Sequence, residues 1–198
     1  YGSSSGYGKS KPYRDYPAMD LVMQAMSGVI SVTGYPDQQP VKSGPAVCDF
    51  SAGTHLYGAI LTALYQRERT GRGSVVEVSM QDAIYASLAS NLGMLHAGGG
   101  VNPARTGNRH GGLGISPYNV YPALDGFVVI NAPGDPHFRS ILKVIGRTDL
   151  LEDPRFISHG TRVAHMMEVD TLLQDWTAQH RKADIAEWLL AAASKLPS

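Results

Sequence analysis

The stretch from His96 to Gly114 is the feature that most limits what this chain can become. It holds Gly98-Gly-Gly100, Gly107, the pair Gly111-Gly112 and Gly114, with Asn102, Pro103 and Asn108 between them. Ordering a glycine costs more backbone entropy than ordering any other residue, and proline breaks both helix and strand ladders. A segment of this length and composition is too long for an ordinary connection, so it is a linker or a functional loop. The chain therefore divides into residues 1–95, a glycine-rich linker at 96–116, and residues 117–198, with no internal repeat.

Patterning differs on the two sides of that stretch. Residues 1–16 are rich in Gly, Ser and Tyr and read as loop. Leu21, Val22, Ala25 and Met26 have helical spacing within Met19–Met26, and Gly28 is a plausible stop. Val29 to Thr33 fits a short strand or a further helical turn, and residues 34–47 read as loop. From about Thr54 to Tyr65, the residues Leu56, Tyr57, Ile60, Leu61, Leu64 and Tyr65 share one broad apolar face of a helix. Arg67, Arg69 and Arg72 suit its C-terminal end, where cations meet the negative pole of the helix dipole. Ser74–Val78 reads as a short buried strand and Asp82–Leu95 as an apolar helix.

Beyond the linker, Tyr118–Tyr121 and Phe127–Ile130 flank Asp125-Gly126 as a hairpin. Asp135 as N-cap and Pro136 at the first helical position open a helix that Gly146 closes. Two amphipathic helices follow, at about 161–178 and 182–194. The fold class is α/β in the first part, with a small α+β domain after the linker.

Lys plus Arg and Asp plus Glu both number 17, so no global field draws the chain to nucleic acid or to an anionic membrane. An anionic small ligand has to be held by local groups. No apolar run approaches the length that spans a bilayer. The single Cys48 has no intramolecular partner for a disulfide, which fits a reducing, cytoplasmic compartment. The chain does not open on Met and reads as the central piece of a longer protein.

Familiar site signatures are absent. Neither Gly98-Gly-Gly100 nor Gly111-Gly-Leu-Gly114 has the preceding strand and following helix of a dinucleotide fingerprint. The seven histidines make no zinc pattern, and there is no Gly-x-Ser-x-Gly elbow. Asp49 stands out because it precedes the apolar helix, where free backbone N–H groups stabilise negative charge. Read locally, it is most simply an N-cap. The N–H groups of Phe50 and Ser51, just after it, are candidate donors to an oxyanion. Cys48 beside it reads as a packing residue.

Taken in order, several motifs resemble the class III CoA-transferases, the family of formyl-CoA transferase and carnitine CoA-transferase. They are Tyr13–Gly28, Asp49-Phe-Ser-Ala-Gly-Thr-His-Leu56, Ala63–Gly73 followed by Val76-Glu-Val-Ser-Met-Gln-Asp-Ala83, Asp125-Gly126, Asp153-Pro-Arg-Phe156 and Arg162. The resemblance implies that Asp49 is a nucleophile, forming an aspartyl anhydride and then an aspartyl-CoA thioester. It implies coenzyme A as a substrate, with no tightly bound cofactor and no metal, and an acyl-CoA and a carboxylic acid as partners. It also implies an interlocked homodimer and a large domain of which residues 1–95 are part.

By the same resemblance, Gly6, Tyr7 and Gly8 contact CoA; Lys9 and Lys11 read as solvated surface charge, with contact to the CoA phosphates as the alternative. Gly111, Gly112, Leu113 and Gly114 form a loop over the intermediate, in which Leu113 interrupts a run of glycines; read from composition alone, they are a linker. His55 takes a structural or substrate-lining place. The related acyl-CoA racemases are an alternative, but they need a His where this chain has Met19. A non-catalytic fragment acting only in association is a second alternative.

Overall fold

Two short parallel strands and one long helix organise the first part of the chain. The computed structural model describes residues 1–9, 12–97 and 105–195, and the protein divides into two compact units, Tyr1–Gly107 and Asn108–Ser198. Strand β1 (Gly2–Ser5) pairs in parallel with β2 (Val76–Ser79), Gly2 opposite Val76 and Ser5 opposite Ser79. Residues 2–5 were expected to be loop. Their Gly-Ser-Ser-Ser sequence carries no apolar alternation, and the strand exists because its backbone pairs with β2.

Between the strands run α1 (Asp20–Met26), α2 (Val29–Val32) and α3 (Val47–Thr70). The ambiguous segment after Gly28 is thus helical. Helix α3 closes on Gly71, in the left-handed conformation at φ 70°, whose N–H donates to the Arg67 carbonyl. Then come α4 (Met80–Tyr85), a single 3-10 turn (Ala86–Leu88) and α5 (Ala89–Ala97), where one continuous helix was expected. Ser79 caps α4 by accepting from the Asp82 N–H, which starts the helix two residues earlier than its apolar pattern indicates. The core of this unit gathers Tyr7, Met23, Val29, Cys48, Ala52, Ile84 and Leu88.

The second unit is built on an antiparallel hairpin, β3 (Tyr118–Ala123) with β4 (Gly126–Asn131), closed by Leu124 and Asp125. Helices α6 (Asp135–Val144), α7 (His159–Ala164), α8 (Met166–Thr177) and α9 (Lys182–Ala193) pack around it. Phe138, Ile141 and Leu142 of α6, at helical spacing, meet Tyr121, Ile130, Phe156, Val169 and Leu173 in the core. The single helix expected over 161–178 is two, α7 and α8, and the first begins early through a Ser158–Thr161 capping box. Asp135 does not cap α6: Gly134 is the N-cap, and the Asp135 carboxylate pairs with Arg162 instead.

Of the expected linker, residues 98–104 lie outside the described residues. His96 lies in the last turn of α5, and residues 105–107 belong to the first unit, where Arg105 donates to the Tyr35 and Pro36 carbonyls and Gly107 to that of Gly34.

Candidate active site

Asp49 lies inside α3, not ahead of it. The helix starts at Val47, so Asp49 is the third helical residue. Its N-cap is Ala46, which has no side chain able to accept a hydrogen bond, and that missing signal is why the sequence pattern placed the start near Thr54. The Asp49 side chain is exposed and lines a shallow groove with Phe50, Gly53, Thr54 and Tyr57. Among the described residues its carboxylate accepts no hydrogen bond and joins no ion pair. It is a bare carboxylate on a rigid helix turn.

The N–H groups that would ordinarily hold such a carboxylate are occupied by another. Asp20, at the start of α1, places Oδ1 2.9 Å from the Cys48 N and 3.3 Å from the Asp49 N, so both N–H groups donate to it. Its Oδ2 accepts from Gln24 Nε2 at 2.6 Å. Gln24 is fully buried, and its Oε1 accepts from the Ser43 N–H at 2.9 Å, which ties down the loop leading into α3. Helix α3 is therefore capped by a residue far away in sequence. Sequence reasoning missed both Asp20 and Gln24; the available signal was their i, i+4 spacing, which puts them on one face of α1. Met19, the N-cap of α1, is exposed.

The Cys48 thiol is buried in the core of the first unit. Burial pushes its pKa up, and Asp20 and then Asp49 add to that, so it stays protonated and neutral. His55, two turns along α3, is exposed and bonds through Nδ1 to the Ser51 carbonyl at 2.8 Å.

The donors expected after Asp49 are not free. The Phe50 N–H donates to the Ala46 carbonyl at 3.1 Å, and Ser51 lies one residue deeper in the helical ladder. The Phe50 ring is 76% exposed at the edge of the groove, so its side chain faces the site while its amide serves the helix.

Gly6, Tyr7 and Gly8 follow β1 at the carboxyl end of the parallel pair, the edge at which open α/β sheets bind ligands. Each also has a structural reason to be there. A Cβ at Gly6 would overlap the Ala18 Cβ and crowd Met23. The Tyr7 ring is 2% exposed, edge-on to Tyr13 and Tyr16, so the ring itself serves the core. Gly8 takes a positive φ of 81°, which only glycine adopts without strain. Lys9 stands over the Tyr1 ring, and Lys11 lies outside the described residues.

In the second unit, Gly111-Gly112-Leu113-Gly114 is a defined turn. The Leu113 N–H donates to the His110 carbonyl at 2.8 Å, and the Gly112 N–H to His110 Nδ1 at 3.2 Å. Leu113 holds a positive φ of 48°, unusual for a non-glycine residue. Just before this turn, Arg109 Nε donates to Asp170 Oδ2 at 2.8 Å. Asp170 also accepts from the Tyr121 hydroxyl at 2.7 Å and from Asn119 at 2.9 Å. Burial, reinforced by the Asp170 bond, pushes the Tyr121 phenol far up, so it remains a donor.

Comparison with known proteins decides the family. The model of CoA-transferase family III matches residues 1–195. The chain belongs to CoA-transferase family III. This family III chain is 38% identical over 190 residues to the acetyl-CoA:oxalate CoA-transferase of Acetobacter aceti, covering 96% of this chain and 47% of that protein. It is 37% identical over 185 residues to the succinate–glutarate CoA-transferase of Agrobacterium fabrum, covering 93% and 46%. A solved CaiB/BaiF family protein from Brucella suis superposes with a TM-score of 0.77 at 32% identity, over 100% of this chain and 51% of that one. The chain thus spans about half the length of the curated relatives it matches. The mixed α/β architecture agrees with that solved neighbour. Among the described residues no helix is long and apolar enough to cross a membrane, and no group of three or more His, Cys, Asp or Glu side chains is placed to hold a metal ion.

Proposed function

We propose that the protein moves coenzyme A between an acyl-CoA thioester and a carboxylic acid, with Asp49 as the covalent nucleophile. The observation that carries this reading is the state of Asp49: exposed in a groove, without a partner among the described residues, on a helix end that another carboxylate already satisfies. The named relatives are CoA-transferases, and their names point to short carboxylic acids as the partners of CoA.

The chemistry follows from a carboxylate meeting an activated acyl group. An Asp49 oxygen attacks the thioester carbonyl, the C–S bond breaks, and CoA leaves as a thiolate; Asp49 and the acyl group are joined as a mixed anhydride. The thiolate attacks the aspartyl carbonyl and expels the donor as its carboxylate, leaving Asp49 as a thioester of CoA. The acceptor carboxylate displaces the thiolate to form a second anhydride. Attack by the thiolate on the acceptor's acyl carbon releases the new acyl-CoA and regenerates Asp49. An ordinary aspartate has a pKa near ~3.9, so no base is required to ionise the nucleophile. Orientation on a rigid helix turn carries most of the catalysis and supplies up to roughly 7–11 kcal/mol in well-aligned cases.

The remaining assignments are parts of the same proposal. The strand-end turn Gly6–Gly8 borders the CoA path through its backbone, and Gly111, Gly112, Leu113 and Gly114 serve as a substrate loop. The working state is a homodimer. Supporting it, Tyr57, Leu61, Leu64 and Tyr65 leave much of the apolar face of α3 exposed, and among the described residues α3 buries Cys48 and Ala52 alone.

An exchange assay with acyl-CoA and an isotopically labelled carboxylate tests the reading. Asp49→Ala and Asp49→Asn abolish exchange while circular dichroism stays that of the wild type. Full exchange by a folded Asp49→Ala variant overturns it.

A further inference from the structure

We propose that Asp20 is the positioning residue that keeps the Asp49 carboxylate free to attack. The inference rests on the reading of Asp49 as nucleophile and goes one step further. The N-terminus of α3 presents N–H groups without intrahelical partners, and Ala46 offers no side-chain oxygen to take them. A carboxylate in the first turn of a helix is drawn to these N–H groups by the positive end of the helix dipole. Left alone, Asp49 would fold onto its own helix end. A carboxylate held by amide donors is both turned from the groove and a weaker nucleophile.

Asp20 pre-empts that collapse. One of its oxygens takes the Cys48 and Asp49 N–H groups at 2.9 and 3.3 Å, and the other is gripped by Gln24 at 2.6 Å. Gln24 is buried and simultaneously holds the Ser43 N–H and lies 3.4 Å from the Pro45 carbonyl. The clamp therefore joins α1, the 43–45 loop and the first turn of α3. Its negative charge on the near side of that turn also repels a second carboxylate, which directs Asp49 outward.

The test is single-turnover acylation of Asp49, quenched and trapped with hydroxylamine, alongside steady-state kinetics. Asp20→Ala removes the clamp. Asp20→Asn keeps the shape but removes the charge and, with a single acceptor oxygen, sets its NH2 group against either Gln24 Nε2 or the α3 N–H groups. Both are expected to lower the acylation rate and kcat by about 10²-fold, the scale of an ångström-level misplacement, with KM for the acyl-CoA nearly unchanged. Asp20→Glu, which retains the carboxylate, is expected to recover most of the rate. Ser79→Ala removes the α4 cap in the same unit and serves as the stability control: its melting temperature falls while its acylation rate holds.

Wild-type acylation by Asp20→Ala or Asp20→Asn overturns the proposal, as does a loss in Ser79→Ala that scales with its melting temperature in the same way. If Asp49→Ala is inactive while the Asp20 variants are normal, only this inference fails. If Asp49→Ala is fully active, the nucleophile reading fails first.

Discussion

Arg162 provides a quantitative test of how the second unit is held together. Its side chain is 1% exposed, and its guanidinium donates to the carbonyls of Ser116, Phe156 and Pro133 and to Asp135 Oδ1. Those partners sit before β3, after β4 and in the Asp153–Phe156 turn, so one side chain ties three loops. Its guanidinium carbon also lies 4.7 Å from the Phe138 ring centroid. Asp135 is half-exposed, which screens the ion pair and makes it a minor contributor. The three carbonyls carry the argument: a hydrogen bond to a charged donor contributes about 1.5–3 kcal/mol, and water entering the vacated space offsets part of that loss. Arg162→Ala is therefore expected to cost about 4 kcal/mol, within the ~3–5 kcal/mol typical of breaking a buried charge cluster. For a unit of this size that is a drop in melting temperature of roughly 15–30 °C. Arg162→Lys keeps the charge but presents its donors from one atom, so it loses about half as much. Both tryptophans, Trp176 and Trp188, lie in Asn108–Ser198, so intrinsic tryptophan fluorescence follows this unit alone. An Arg162→Ala unit that melts within about 5 °C of the wild type, equivalent to ~1 kcal/mol, refutes the reasoning.

Other outcomes follow from single contacts. Gly6→Ala forces its new methyl into Ala18 and is expected to destabilise the first unit by about 1–3 kcal/mol; Ala18→Gly in the same chain restores most of it, as chemical denaturation will show. Arg155, through its guanidinium and its own N–H, holds the Asp153 carboxyl well below the usual carboxylate range, at about 2. A depressed folded-state value means stability that is present above the unfolded pKa and lost as pH falls through about 2, so Asp153→Asn should flatten the acid limb of a pH-denaturation curve. Asp170→Ala leaves Tyr121, Asn119 and Arg109 without their common acceptor; it should cost about 3 kcal/mol and speed amide exchange across residues 109–114.

How far the sequence could be read depended on whether each signal was local. The hairpin was legible because Asp125-Gly126 and the flanking apolar residues sit side by side. Helix α6 was legible because Pro136 in its first turn and Gly146 just past its end mark its bounds locally. Helix starts were misread twice for the same reason. Asp49 and Asp135 both look like N-caps, and both are first-turn residues whose carboxylates have other duties or none. The caps of α3 and α9 come instead from Asp20 and Asp125, each distant in sequence, Asp125 accepting the Lys182 N–H at 2.8 Å. Strand β1 was invisible because Gly-Ser-Ser-Ser has no pattern of its own and takes its conformation from β2. At the site, Asp49 was found through the order of the motifs. Asp20 and Gln24 lay within a quoted motif, but their work is defined only when α1 meets α3.

The most direct test of Asp49 as the covalent carrier follows the oxygen atoms. With the acceptor carboxylate labelled with oxygen-18, the last step leaves the bridging oxygen of the second anhydride on the enzyme. After several turnovers, the peptide containing Asp49 should carry oxygen-18 on that side chain, and tandem mass spectrometry will place it there. Turnover with label on another residue, or with none on the enzyme, contradicts the account.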